Sequence, residues 1–68
     1  MPFKENVEAA AARIMEFLKD KEDTTSWHLK ISLHLSSSLM FMALGLLAGQ
    51  GKVTIEPDGL NYKIAKTR

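Results

Sequence analysis

The chain has no cysteine, so it can hold no disulfide and no thiolate metal site. It has only two histidines, His28 and His34, whose spacing does not place two ligands on one helix face. Neither sign of charge dominates. Nine basic and eight acidic residues leave a net charge of +1, which is not the electrostatic footprint of a strong nucleic-acid binder. There is no membrane-length apolar run. The longest, from Leu39 to Ala48, is about half of what a span needs. It also lies in mid-chain, where a signal peptide does not.

What these absences leave is a single soluble domain, residues 1–68, of intracellular, cytoplasmic character. A chain this short buries only about 60% of its unfolded surface, so its own core is marginal. With disulfides and metal removed, oligomerisation is the remaining route to extra stability.

Catalytic chemistry finds no foothold. Ser36, Ser37 and Ser38 have no base or orienting acid assigned to them, and suit capping better than nucleophilic attack. Gly49-Gln50-Gly51 is a helix stop and lacks the lysine and hydroxyl pattern of a phosphate loop. Asp20, Glu22 and Asp23 are a solvated helix end. No enzyme and no cofactor are expected.

The helical signals are clear at the start of the chain. Val7, Ala10, Ala11, Ile14, Phe17 and Leu18 form one apolar face at i, i+3, i+4, i+7 spacing. A first helix is expected over about 6–21, capped by Asn6, after a loose start. The next segment is ambiguous. Trp27, Leu29, Ile31, Leu33 and Leu35 alternate with His28, Lys30, Ser32 and His34, as in a half-buried strand. A helix over about 25–33 is equally possible. It would put Leu29 and Leu33 on one side, and Trp27 and Ile31 on roughly the opposite side.

The serine cluster then supplies an N-cap for a helix over about 37–49, stopped by Gly49 and Gly51. Its inner stripe is expected to be Leu39, Ala43, Leu46 and Leu47, with Met42 beside it. Ser37, Phe41, Leu44, Gly45 and Ala48 fall on the outer side. A two-stranded hairpin over about 52–65 closes the chain. Its strands are Lys52–Glu56 and Leu60–Ala65, and Pro57-Asp58-Gly59 is the turn.

The order of elements is that of a winged helix-turn-helix domain. Leu33-His34-Leu35-Ser36, the run Leu39–Ala48 and Gly51-Lys52-Val53 resemble a family of very small prokaryotic winged-helix proteins of unknown function. That family shows an aromatic, one residue, Ala-Leu-Gly-Trp-Leu-Ala, a polar pair and Gly-Lys. Here the aromatic is Phe41, Leu46 replaces the tryptophan, and His34 stands where the family commonly has glycine. The resemblance covers nearly the whole chain, and its third-helix motif is the specific part. It implies an α+β fold of three helices followed by a two-stranded wing, and a helix over residues 26–33. It implies no activity.

In such a fold the third helix usually reads DNA with Arg, Lys, Asn or Gln on its outer face. Here only Ser37 on that face is polar. A protein-contact face fits better, most simply a two-fold homodimer, with Trp27, Ile31, Phe41, Leu44, Gly45 and Ala48 as the contact set. Gly45 and Ala48 would let another backbone approach closely. The alternatives are that the chain's own N-terminus or wing covers this face, that Trp27 packs over the first helix, or that the face binds a different protein. Lys52, Lys63, Lys66 and Arg68 are the residues that could grip DNA phosphates. Glu56 and Asp58 offset them, so such binding would be weak and salt-sensitive.

Overall fold

A computed structural model describes the backbone of residues 3–67 and the side chains of residues 6–67. Along the chain run α1 (Phe3–Leu18), β1 (Asp23–Thr25), α2 (Ser26–Leu33), α3 (Ser37–Gly49), β2 (Val53–Asp58) and β3 (Asn61–Lys66). The class is α+β, with three helices and one antiparallel sheet in the order β1-β3-β2. The core between them is built from Ile14, Leu18, Leu29, Met40, Leu44, Leu47, Val53 and Ile64, with smaller neighbours.

Helix α1 buries the face its spacing specifies: Ala10, Ala11, Ile14 and Leu18. Its bounds differ from the expectation. Asn6 lies inside the helix rather than capping it, and the helix stops at Leu18 rather than near Lys21. Leu18 is the last residue of the apolar stripe. Beyond it, Lys19 N–H donates to the Glu16 carbonyl (3.3 Å) and Lys21 N–H to that of Leu18 (3.0 Å), turning the chain toward the sheet.

That turn delivers β1, whose first residue, Asp23, is expected from sequence to belong to a solvated helix end. Asp23, Thr24 and Thr25 pair with Ala65, Ile64 and Lys63 of β3. The sheet therefore has three strands, not two. Three polar residues carry no hydrophobic period, so only the distant partner strand reveals this one.

Residues 26–33 are helical. The Thr25 hydroxyl caps α2 by accepting from the His28 N–H at 3.1 Å. Leu29 is buried and Leu33 half-buried, while Trp27 and Ile31 are exposed, so the two stripes separate as expected. The helix ends at His34, in the left-handed conformation (φ 54°, ψ 42°). The N–H groups of His34 and Leu35 both reach back to the Lys30 carbonyl, and buried Leu35 joins Leu29 in the core. This is the hydrogen-bonded, apolar-sealed helix stop that glycine usually makes. Arg13 of α1 adds a bond, its Nη2 donating to the Leu33 carbonyl at 2.7 Å.

A non-glycine residue pays a steric penalty in this conformation. His34→Gly is therefore expected to stabilise the fold by about 0.5–1 kcal/mol, net of glycine's greater freedom when unfolded. That is roughly 3–6 °C in the thermal midpoint. A drop in the midpoint would show that the imidazole makes a compensating contact.

Helix α3 begins as the serine cluster implies, with the Ser36 hydroxyl accepting from the Leu39 N–H at 3.2 Å. It ends at Gly49, and Gly51 just beyond it takes φ 74°, so that Lys52 N–H donates to the Leu47 carbonyl at 2.9 Å. Its orientation about its own axis departs from the expectation. The buried residues are Met40, Ala43, Leu44 and Leu47, so Leu44 is core rather than outer face. Leu39 and Leu46 are only half-buried, and Met42 is exposed. A helix apolar on every side has no polar stripe to say which way it faces.

The hairpin also shifts. Strand β2 runs through Pro57 and Asp58, which pair with Tyr62 and Asn61. Pro57 is tolerated there because β2 is an edge strand. The connection is the two-residue loop Gly59-Leu60, with Gly59 at φ 65°, as expected where glycine takes the first central position of a tight hairpin. Leu60, expected within the second strand, is instead at the apex. No single helix among the described residues is long and apolar enough to cross a membrane.

Candidate functional site

Two side-chain contacts hold α2, α3 and the hairpin around one open groove. Ser26, at the start of α2, is 5% exposed, and its hydroxyl accepts from the Tyr62 N–H of β3 at 3.1 Å. This bond fixes the first turn of α2 against the hairpin and places Trp27 beside Tyr62. Across the groove, the Phe41 ring of α3 meets the Tyr62 ring edge-on, with centroids 5.6 Å apart and planes at 80°. That is a favourable aromatic geometry, and it ties α3 to the hairpin.

The groove encloses about 300 Å³ and is lined by Ser26, Trp27, Lys30, Phe41, Leu60 and Tyr62, with Ser37, Met40 and Asn61 completing it. Its apolar residues are unusually open to solvent. Trp27 is 62% exposed, Leu60 fully so, and Phe41 and Tyr62 each 41%. Ile31 continues the surface one turn along α2 from Trp27, also exposed.

Of the residues singled out from sequence, Trp27 and Phe41 line this groove. Gly45 and Ala48 lie exposed on the same side of α3 as Phe41, and a Cβ added at Gly45 would meet no atom within 4 Å. Leu44 does not belong to the surface. It is fully buried, because the face of α3 that packs on α1 and the sheet includes it. Trp27 does not pack over α1. That place is taken by His28, whose ring stands edge-on to Phe17 at 5.5 Å. Nor does the hairpin cover the face: it borders it and adds Leu60 and Tyr62. Sequence reading did not select those two. The available signal was the leucine next to Gly59, an unusual residue for a turn that normally takes Gly, Asn or Asp.

The basic residues fall elsewhere. Lys63 Nζ lies 3.5 Å from the Asp23 carboxylate and is paired across the sheet with Glu56. Lys66 Nζ donates to the Lys19 carbonyl at 3.3 Å. Lys52 and Lys66 line a different depression, of about 540 Å³, between α1 and α3. That depression is larger than the groove but brings together no aromatic, serine, cysteine or histidine side chain. Arg68 lies outside the described residues. The three lysines therefore sit toward the base and middle of the hairpin, while its tip carries Asp58. Among the described residues, no group of three or more His, Cys, Asp or Glu side chains could hold a metal ion.

No protein-family model matches the chain, and none of the curated proteins or solved structures compared with it is a match either.

Proposed function

We propose that this chain is a winged helix-turn-helix domain working as a non-catalytic interaction module, and that it homodimerises through the groove face. The element order and the β1-β3-β2 sheet support the fold assignment. So does the 117° turn between α2 and α3, within the range usual for a helix-turn-helix pair. In that fold α3 is the helix offered to a ligand and β2–β3 is the wing.

The observation that carries the dimer is the meeting of Trp27, Phe41, Leu60 and Tyr62 in one open groove. With Ile31, their exposed fractions scaled by about 150–250 Å² per large side chain give roughly 450–750 Å² of exposed surface, the Tyr62 hydroxyl included. This is within or above the range of the largest patch of a typical monomer, about 300–600 Å². It is somewhat less than the roughly 800 Å² per partner of a standard stable interface. Aromatic anchors at the centre of such a patch are what interfaces favour. Base reading by α3 is the weaker reading, because α3 itself has no Arg, Lys, Asn or Gln, and the groove's two such residues, Lys30 and Asn61, stand on α2 and the hairpin.

Sedimentation of the chain at micromolar concentration tests the proposal, with a dimer as the expected result. A monomer at high concentration counts against it. If the monomer also binds a second protein through Trp27 and Phe41, the same face is heteromeric. If duplex DNA shifts the amide signals of Lys63 and Lys66 in low salt, a DNA-binding regulator gripping the backbone through wing and tail is the better reading.

A further inference from the structure

The groove side of the molecule is free of carboxylates. From Thr24 to Ile55 the chain has no aspartate or glutamate, while it has Lys30 and Lys52. No residue lining the groove is acidic, and Lys30 is its one cation. The hairpin turns its acids away. Side chains alternate along a strand, so Tyr62 shares the inner sheet face with buried Ile64, and Glu56, Asp58 and Lys63 take the outer one. Asp58 accordingly lines a depression there with Lys21, Asp23 and Lys63. Glu8, Glu16, Asp20 and Glu22 border the depressions along α1 and the turn after it.

The apolar side chains of the groove face are of two kinds. Trp27 and Tyr62 are the residues that favour the boundary between hydrocarbon and water. Leu60 and Ile31 are aliphatic and stand out from the surface. Helix α3 has no charged residue. Together α2 and α3 have the apolar composition of a membrane segment, but a bend of 117° separates them. Such a pair, with one side packed on the core, suits lying on a bilayer rather than crossing it.

We infer that the groove face is a docking surface for an anionic lipid bilayer. Leu60, Ile31 and Phe41 enter the acyl boundary, Trp27 and Tyr62 sit at headgroup depth, and Lys30 meets lipid phosphate. A bilayer is fluid, so it closes around a protruding leucine and needs no matching socket. A carboxylate-free face with a cation on it is what a negative leaflet attracts. Nucleic acid is the poorer occupant, because a grip on its backbone takes several cations and the groove has one. The inference goes beyond the homodimer and does not rest on it. Both use the same face, so lipid and a second copy compete for it, and the dimer is the form that hides the face in water.

Trp27 is the chain's only tryptophan, so its emission reports on this face alone. The chain is mixed at physiological ionic strength with vesicles of phosphatidylcholine and phosphatidylglycerol in equal parts, or of phosphatidylcholine alone. It is expected to sediment with the mixed vesicles, roughly fivefold more tightly than with the neutral ones. Bromine atoms on the acyl chains of the mixed vesicles are expected to quench Trp27. Leu60→Asp is expected to weaken binding at least about tenfold through lost burial, and Lys30→Glu about tenfold through reversed charge. Both residues are exposed, so circular dichroism should stay native. Lys63→Glu makes the same charge change on the outer sheet face, beyond a Debye length of about 8 Å, and should stay within about twofold. Failure to bind the mixed vesicles, or binding without quenching, overturns the inference. So does equal binding to both vesicles, or a loss with Lys63→Glu as large as with Lys30→Glu. A dimer that binds no vesicles overturns the inference and leaves the homodimer standing. A monomer that binds them through Leu60 and Lys30 removes the homodimer and upholds the lipid surface.

Discussion

Phe41→Glu is expected to convert the proposed dimer into a folded monomer. Phe41 is 41% exposed, packs edge-on against Tyr62 and faces the groove. In the free chain a glutamate there can keep its carboxylate in water, and the cost is confined to the lost aromatic contact, about 0.5–1.5 kcal/mol. In the proposed dimer the same carboxylate would be sealed against apolar surface, while the groove's one cation, Lys30, is solvent-exposed on α2. Two copies would be buried at once. The penalty for a buried unpaired charge is several kcal/mol each, so the dissociation constant should rise more than about a hundredfold. Sedimentation would report a monomer, while far-UV circular dichroism stays native. Met42→Glu is the control. Met42 is just as exposed but points about 100° away around α3, and its substitution should change dimerisation less than about threefold. A folded Phe41→Glu chain that remains dimeric would remove the groove from the interface.

Leu44→Ala is expected to have the larger effect on the fold itself. Leu44 has no exposed surface and sits in the same core cluster as Ile14, Leu18 and Leu29. Truncating such a leucine costs about 2–5 kcal/mol through lost burial and the cavity left behind. A domain of this length has only about 3–10 kcal/mol of stability in total. The thermal midpoint should fall by roughly 10–30 °C, measured at fixed protein concentration because the proposed dimerisation would contribute to apparent stability. The contrast with Phe41 is the point. Three residues apart on one helix, one substitution should separate the chains and the other should unfold them. A midpoint within about 5 °C of the native one, together with loss of the dimer, would place Leu44 at the surface instead.

How far the sequence carries can be judged residue by residue. The stripe of α1 was legible because charged residues mark its other side. The two ends of α3 were legible, since the serine cluster and Gly51 have conformational preferences that act locally. Residues 26–33 were not settled by period, because their alternation fits a strand as well as a helix with two apolar stripes. Of the groove, Trp27, Ile31 and Phe41 could be selected as surplus apolar residues. Leu60 and Tyr62 could not, because the turn was read two residues too early: Pro57 and Asp58 are common turn formers that here continue an edge strand.

The sequence alone therefore determined the buried stripe of α1 and the two ends of α3, and it marked surplus apolar residues beyond the core stripes. It excluded disulfides, and it left the third helix without the donors that base reading needs. Those are properties of composition and of contacts only a few residues apart. Tertiary structure decided which side of α3 is core, because a helix apolar all round is oriented only by what packs on it. It also created β1, whose three polar residues become a strand only through β3. And it set the hairpin register that lifts Leu60 to the apex beside Trp27 and Phe41. Each of these depends on residues far apart in the chain, where local pattern has no reach.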